Sequence, residues 1–337
     1  MSGAPSLSRP DAPDAAVLQE IQAPVHDALA RVLDEMRRIA TADLPMIDSL
    51  GGHLLQMRGK MFRPTLALLS SAAGGTPEPR AVTVAAIVEL LHLATLVHDD
   101  AVDHAALRRG VPTLNAMFGH QVSVIMGDYL YSRALVELVS LRDIELMHVL
   151  AHMTNRLTVG EMRQLAAVDR LGFGEDEYFE LIACKTASLL GAACETGALC
   201  GAPQHREALR RYGDRLGMAF QIADDILDYV EDSAVTGKPS GNDLREHKVT
   251  LPLIAALPRL TPAQRERVDA LFAAEVPSDA LIGDVVAVVG EAGGLDAARR
   301  RAEGFAREAE ESLSSLPASV ARTALADAVT YVIDRRW

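Results

Sequence analysis

Apolar residues recur at helical spacing along most of this 337-residue chain, and no stretch alternates apolar and polar positions in the manner of a strand. The first segment runs from Ala15 to about Ala40, with Val17, Ile21, Val25, Leu29, Val32, Leu33 and Met36 on one face of an amphipathic helix. A polar break follows. A helix carrying Leu66, Leu68 and Leu69 then starts near Pro64, a residue suited to a first helical turn. After the loop Gly74-Gly-Thr-Pro-Glu-Pro79, the residues Val84, Ile87, Val88, Leu91, Leu93, Leu96 and Val97 leave little polar face, which predicts a central, buried helix. Further helices are expected over about 120–140, 143–169, 174–201 and 203–231. Thr236 to Lys248 breaks every periodicity, Thr250-Leu-Pro-Leu-Ile254 resumes a helix, and the rest reads as helices separated by Pro- or Gly-containing turns. Residues 1–14 are expected to be disordered and 15–337 to form a single all-α domain.

Three carboxylates, Asp99, Asp100 and Asp103, stand at the end of the central apolar run. On a helix Asp99 and Asp103 are an i,i+4 pair about 6 Å apart on one face. Two like charges at the edge of a core repel and are poorly solvated, and a hard cation such as magnesium removes both penalties. One such cluster is more often a solvated face than a site. A second copy, Asp224, Asp225 and Asp228 in Gln221-Ile-Ala-Asp-Asp-Ile-Leu-Asp-Tyr229, changes that balance, because two clusters on separate buried helices could share cations between them. Arg108 and Arg109 suit bidentate phosphate contacts, so the group reads as a diphosphate site. Gly59, Lys60 and Arg63 at a helix start form a second candidate anion site. Lys185, in an otherwise apolar helix, either snorkels to water or meets a phosphate. Lys238 and Lys248 could close a lid over an anionic substrate from the glycine-bearing loop.

Composition narrows the class. The formal net charge of −13, with no Lys/Arg-rich run to offset it, excludes nucleic acid as the expected partner. The Ser-, Pro- and Asp-rich start is not a signal peptide, and no uninterrupted apolar run is expected to span a bilayer. Cys184, Cys194 and Cys200 show no metal-ligand spacing and read as buried free thiols of a cytoplasmic protein.

The segments GKMFRP, LLHLATLVHDDAVDHAALRRG, KTA, FQIADDILD and GKPSGNDLREHKVTLPLI, in that order, resemble the trans-isoprenyl diphosphate synthases (the polyprenyl synthetase family) over roughly residues 20–335. The resemblance implies a bundle of long helices around a deep central cavity, assembled as a homodimer. It implies magnesium, three ions per active site, held by Asp99, Asp103 and Asp224, with Asp100, Asp225 and Asp228 supporting. Arg108, Lys185, Thr186, Gln221, Lys238 and Lys248 resemble the contacts to the allylic diphosphate, with Lys185, Lys238 and Arg108 helping its departure. Lys60, Arg63, His92 and Arg109 resemble the isopentenyl diphosphate pocket. The family often has two glycines before the pocket lysine and a glycine before the last loop lysine, where this chain has Arg58-Gly59 and His247, so loop geometry is the expected point of difference.

The implied reaction departs an allylic diphosphate and adds the double bond of isopentenyl diphosphate to the allyl cation; no side-chain base is named for the final proton loss. Short-chain relatives floor the cavity with aromatics where this chain has Ala94 and Thr95, with Leu91 a turn deeper, and the first aspartate motif lacks a two-residue insertion. Both features resemble long-chain synthases that supply quinone side chains, with transient membrane contact for product release. The alternatives are a farnesyl or geranylgeranyl synthase, a terpene cyclase, and a non-catalytic subunit of a heteromeric synthase. A cyclase is disfavoured by 4% aromatic residues, and a non-catalytic subunit by two intact aspartate motifs.

Overall fold

The computed structural model describes residues 12–41, 44–56, 59–108, 110–230 and 241–334. Helix α1 (Ala12–Gln22) begins inside the stretch expected to be disordered, so residues 12–14 are helical and, of that stretch, 1–11 lie outside the described residues. The helix expected from 15 to 40 is two. Pro24 sits in a 3-10 turn, Ala23–Val25, and α2 (His26–Ala40) starts afresh beyond it, because proline removes an amide donor and clashes with the preceding turn. The expected polar break holds a helix as well, α3 (Pro45–Gln56), anchored by buried Leu50 and Leu54. Then come α4 (Phe62–Ala72) and the central α5 (Arg80–Val102).

A departure from the all-helical pattern follows α5. Two-residue strands β1 (Leu107–Arg108) and β2 (Val111–Pro112) pair antiparallel, Leu107 against Pro112 and Arg108 against Val111, too short to register as alternation in the sequence. The chain continues through α6 (Leu114–Phe118), α7 (His120–Ser140), α8 (Ile144–Ala167) and α9 (Glu175–Ile182). A π turn, Ala183–Ala187, joins α9 to α10 (Ser188–Leu199), and α11 (Arg206–Val230) carries the second aspartate cluster. The C-terminal part is α12 (Asn242–Arg245), α13 (Leu251–Ala256), α14 (Pro262–Phe272), α15 (Asp279–Glu291), α16 (Gly294–Ser312) and α17 (Val320–Ile333).

Helix α5 is apolar on nearly every side and packs against α2, α4, α7 and α10. Each fully buried leucine there, Leu90 and Leu91 among them, stabilises the fold by about 1.5–3 kcal/mol relative to exposure. By length and composition α5 could cross a membrane, contrary to the expectation that no segment would, but 67% of its apolar window is buried inside the protein. Two apolar cores meet along α11: Leu209, Leu216 and Ala219 belong to the one that holds α5, while Ile222, Ile226 and Tyr229 belong to the one around α9 and α13–α16. Cys194 and Cys200 are buried free thiols as expected, whereas Cys184, in the π turn, is only half-buried.

Two glycines bring three segments of the future site together. A Cβ on Gly160 of α8 would stand 2.7 Å from the Lys185 amide nitrogen, and one on Gly217 of α11 would stand 2.5 Å from Ala187 Cα. The π turn is therefore wedged between α8 and α11 at a distance that only glycine permits.

Candidate active site

The end of α5, the π turn and the last turns of α11 converge on one cavity of about 290 Å³. Asp103, Lys185, Thr186, Gln221, Asp224 and Lys248 all line it, so residues up to 145 positions apart in sequence (103 to 248) share a wall. Asp103 is the C-cap of α5 rather than a residue of its last turn, and its amide donates to the Asp99 carbonyl at 2.8 Å. Burial lifts the Asp99 carboxyl to about 6; Glu161 and Asp103 add to the rise, while Lys185 and Arg108 oppose it.

The three aspartates given supporting roles by the resemblance all place their oxygens on protein donors. Asp100 is buried and takes Arg108 Nε at 2.8 and 2.9 Å and Arg108 Nη2 at 2.8 Å. That fork fixes the guanidinium at the site's edge, and burial still raises the Asp100 carboxyl against the pull of Arg108. Asp225 accepts Tyr178 Oη at 2.5 Å and Gln221 Nε2 at 2.7 Å, and Gln221 Oε1 in turn accepts Thr186 Oγ1 at 2.7 Å. This chain ties α9, the π turn and α11 into one unit. Burial pushes the Asp225 carboxyl to about 7, with its two side-chain donors opposing and Asp224 and Asp228 reinforcing. Asp228 accepts the amides of Asn242 at 3.0 Å and Asp243 at 2.9 Å, anchoring the chain where it returns to the fold. Burial raises the Asp228 carboxyl despite those amides.

Lys185 forms an ion pair with Glu161 of α8 at 2.8 Å, and Lys248 pairs with Glu246 at 2.5 Å. Burial pulls the Lys248 ammonium down, but Glu246, Asp243 and Asp103 outweigh it and the net movement is upward. The second anion site lies by the start of α4. Lys60 Nζ donates to Tyr331 Oη of α17 at 3.1 Å and lies 5.7 Å from that ring's centroid. Phe62 stacks between Tyr331 and Phe220, at 5.9 and 6.2 Å. Arg63 in the first turn of α4 and His92 on α5 are both half-buried on helices that pack together. Arg109 and Lys238 lie outside the described residues.

Local pattern does not single out Glu161, Gln164, Tyr178, Asp243 or Tyr331, yet the structure puts the first four at or beside the aspartate cavity and Tyr331 against Lys60. The one available signal is on α8: Glu161 and Gln164 are an i,i+3 polar pair whose neighbours Val159, Met162 and Leu165 are apolar and exposed, the reverse of an ordinary surface helix. Asp243 is pushed well up by burial and by Asp225 and Asp228. His247, at the position where the family often has glycine, adopts φ +53. Its imidazole Nδ1 pairs with Asp169, and its carbonyl accepts the Asp169 amide at 3.2 Å, which holds a non-glycine residue in the left-handed region.

Among the described residues, no group of three His, Cys, Asp or Glu side chains closes into a metal cage by itself. The donor set still suits a hard cation that also takes oxygens from a substrate: Asp225 and Asp243 in the cavity, and Asp99 one helical turn from the lining residue Asp103, are raised by burial and mutual repulsion, which positive charge relieves.

An all-α bundle that brings Asp103, the second aspartate cluster and two lysines onto one cavity has the architecture of an isoprenoid synthase. The polyprenyl synthetase family model matches residues 45–289. The chain is 39% identical over 319 residues, 94% of its own length and 98% of the relative's, to the all-trans-nonaprenyl-diphosphate synthase (geranyl-diphosphate specific) of Rhodobacter capsulatus. It is 36% identical over 308 residues, 91% and 94% of the two chains, to the octaprenyl diphosphate synthase of Escherichia coli. The crystal structure of a polyprenyl synthase from Caulobacter crescentus, complexed with calcium and isoprenyl diphosphate, superposes with a TM-score of 0.89 at 33% identity, covering 95% of this chain and 98% of that one. The chain belongs to the polyprenyl synthetase family and is a trans-prenyltransferase, a polyprenyl diphosphate synthase.

Proposed function

We propose that the protein condenses isopentenyl diphosphate with an allylic diphosphate, with magnesium, to make a long-chain all-trans polyprenyl diphosphate for quinone side chains. The observation that carries the reading is the sharing of one cavity by Asp103, Asp224, Lys185 and Lys248. Asp99, Asp103 and Asp224 would hold three magnesium ions, which when bound neutralise the diphosphate and stabilise the charge that develops on its departing oxygen. Lys185, Lys248, Thr186 and Gln221, which line the same cavity, bind and orient the allylic diphosphate, joined by Lys238. Arg108, held by Asp100, directs its remaining donors to the same group. Lys60, Arg63, His92 and Arg109 bind isopentenyl diphosphate and place its double bond towards the allylic carbon. The ion pairs Lys185–Glu161 and Lys248–Glu246 keep both ammonium groups oriented until an anion arrives.

The tail in this reading descends beside α5. Thr95 is partly accessible, whereas Leu91 and Ala94 are each 1% exposed, so a long product needs the packing around Ala94 to open. The chain from α1 onward forms one domain, its two cores sharing α11. Two copies assemble as a homodimer in this reading, and Met117, Phe118 and Ile125 on α6–α7 and Met162 and Leu165 on α8 are exposed apolar side chains available to such an interface. The setting is the cytoplasm, with brief membrane contact for product release. Incubating the purified protein with isopentenyl diphosphate and each allylic primer, then sizing the products, tests the whole reading. Condensation should stop with EDTA and return on adding magnesium; full activity in demetallated protein would refute the role of the aspartates.

A further inference from the structure

Helix α8 reaches the active site with Glu161 and Gln164, but nearer its start it carries His148 and His152, one turn apart on its outer face. Both are exposed, and their ring centroids lie 4.3 Å apart at an interplanar angle of 47°. On the opposite side of the same turns Leu146, Val149, Leu150 and Met153 are buried, so the backbone under the two imidazoles is fixed by core packing. Among the described residues neither imidazole is engaged in a hydrogen bond or an ion pair, and the ring contact is their only side-chain interaction.

We propose that His148 and His152 form a surface chelate for a borderline transition-metal dication, zinc or nickel, apart from the aspartate site. Imidazoles at i,i+4 on one helix face, with centroids 4.3 Å apart, are close enough to share one ion, the spacing that helical zinc motifs use for two of their ligands. No third His, Cys, Asp or Glu joins them in a group among the described residues, so water fills the remaining positions and the ion stays exchangeable. Nitrogen donors select zinc, nickel or copper over magnesium, which prefers oxygen. Nine residues of helix, about 13 Å of axis, separate His152 from Glu161, so the two sites share no ligand. The ion favours the folded helix over the unfolded chain, which lacks the fixed spacing, and therefore raises the melting temperature by mass action.

Equilibrium dialysis of the untagged full chain against zinc chloride, in millimolar magnesium to fill the aspartate site, tests this. The wild type should take up one zinc that His148→Ala or His152→Ala weakens at least ~10-fold, the scale on which even an outer partner of a metal ligand acts. Cys184→Ser should keep that zinc, which excludes the half-buried thiol as its ligand. Zinc should raise the melting temperature of the wild type and leave that of the double alanine variant unmoved. Equal zinc uptake by the wild type and the double variant, or loss of uptake in Cys184→Ser, would overturn the assignment. Both histidines are exposed, so the variants fold, and a melt without zinc verifies it.

Discussion

Asp99 is held at a cost that its replacement should recover. Burial, with Glu161 and Asp103 nearby, lifts its carboxyl from 3.8 to about 6. At 1.36 kcal/mol for each tenfold change in acidity, keeping it ionised at neutral pH costs the metal-free fold about 3 kcal/mol. Asp99→Asn keeps the shape and removes the charge. In EDTA at pH 7.5 it should melt about 4 °C above the wild type, the shift that ~3 kcal/mol gives for a chain of this size. The sign follows from the folded carboxyl binding its proton more tightly than the unfolded one. The penalty is absent where both states are protonated, below about pH 4, and complete only above about pH 6, so the advantage of the variant should shrink to nothing as pH falls through that window. Magnesium with a non-reacting diphosphate should reverse the order, stabilising the wild type more than the variant, and turnover of the variant should fall roughly 10²-fold or more. Calorimetric scans at several pH values and a single activity assay measure all of this. An Asp99→Asn protein that melts at or below the wild type in EDTA at pH 7.5 would refute the electrostatic account.

The two anion pockets should separate kinetically: Arg63→Ala should chiefly raise KM for isopentenyl diphosphate, whereas Lys185→Ala should lower kcat, because its contact strengthens as charge develops on the leaving group. The opposite pattern would mean that the pockets are interchanged. His247→Gly relieves a left-handed backbone at φ +53 and should gain about 1 kcal/mol in urea unfolding, less whatever the Asp169 pairing contributes; a loss would show the pairing to be the larger effect. Thr95→Phe should shorten the product while sparing the first condensation. Ala94→Phe, at a site 1% exposed, should shorten it too but also lower the melting temperature, since a ring there displaces packed neighbours at about 1–3 kcal/mol. Unchanged product length in both soluble, active variants would place the tail elsewhere.

Local sequence determined most of the helices and the chemistry they carry. A 3.6-residue apolar period is written into the chain itself, so α5, α7, α8 and α11 lie within a few residues of where their periodicity predicts them. The repeated aspartate spacing marked the site for a like reason: six carboxylates at the edges of apolar runs are costly unless something binds them. Which aspartates line the cavity and which also take donors from the scaffold was decided only by the tertiary structure, and Asp225 and Asp228 do both. Asp225 meets Tyr178 across 47 positions, and Lys185 meets Glu161 across 24, and such pairings follow from helix packing rather than from local spacing. The π turn is likewise invisible locally, since its place depends on Gly160 and Gly217 arriving from two other helices. The burial of Ala94 has the same origin. A small residue on a helix records that something approaches closely, and only the packed neighbours decide whether that is open space for a substrate or another part of the core.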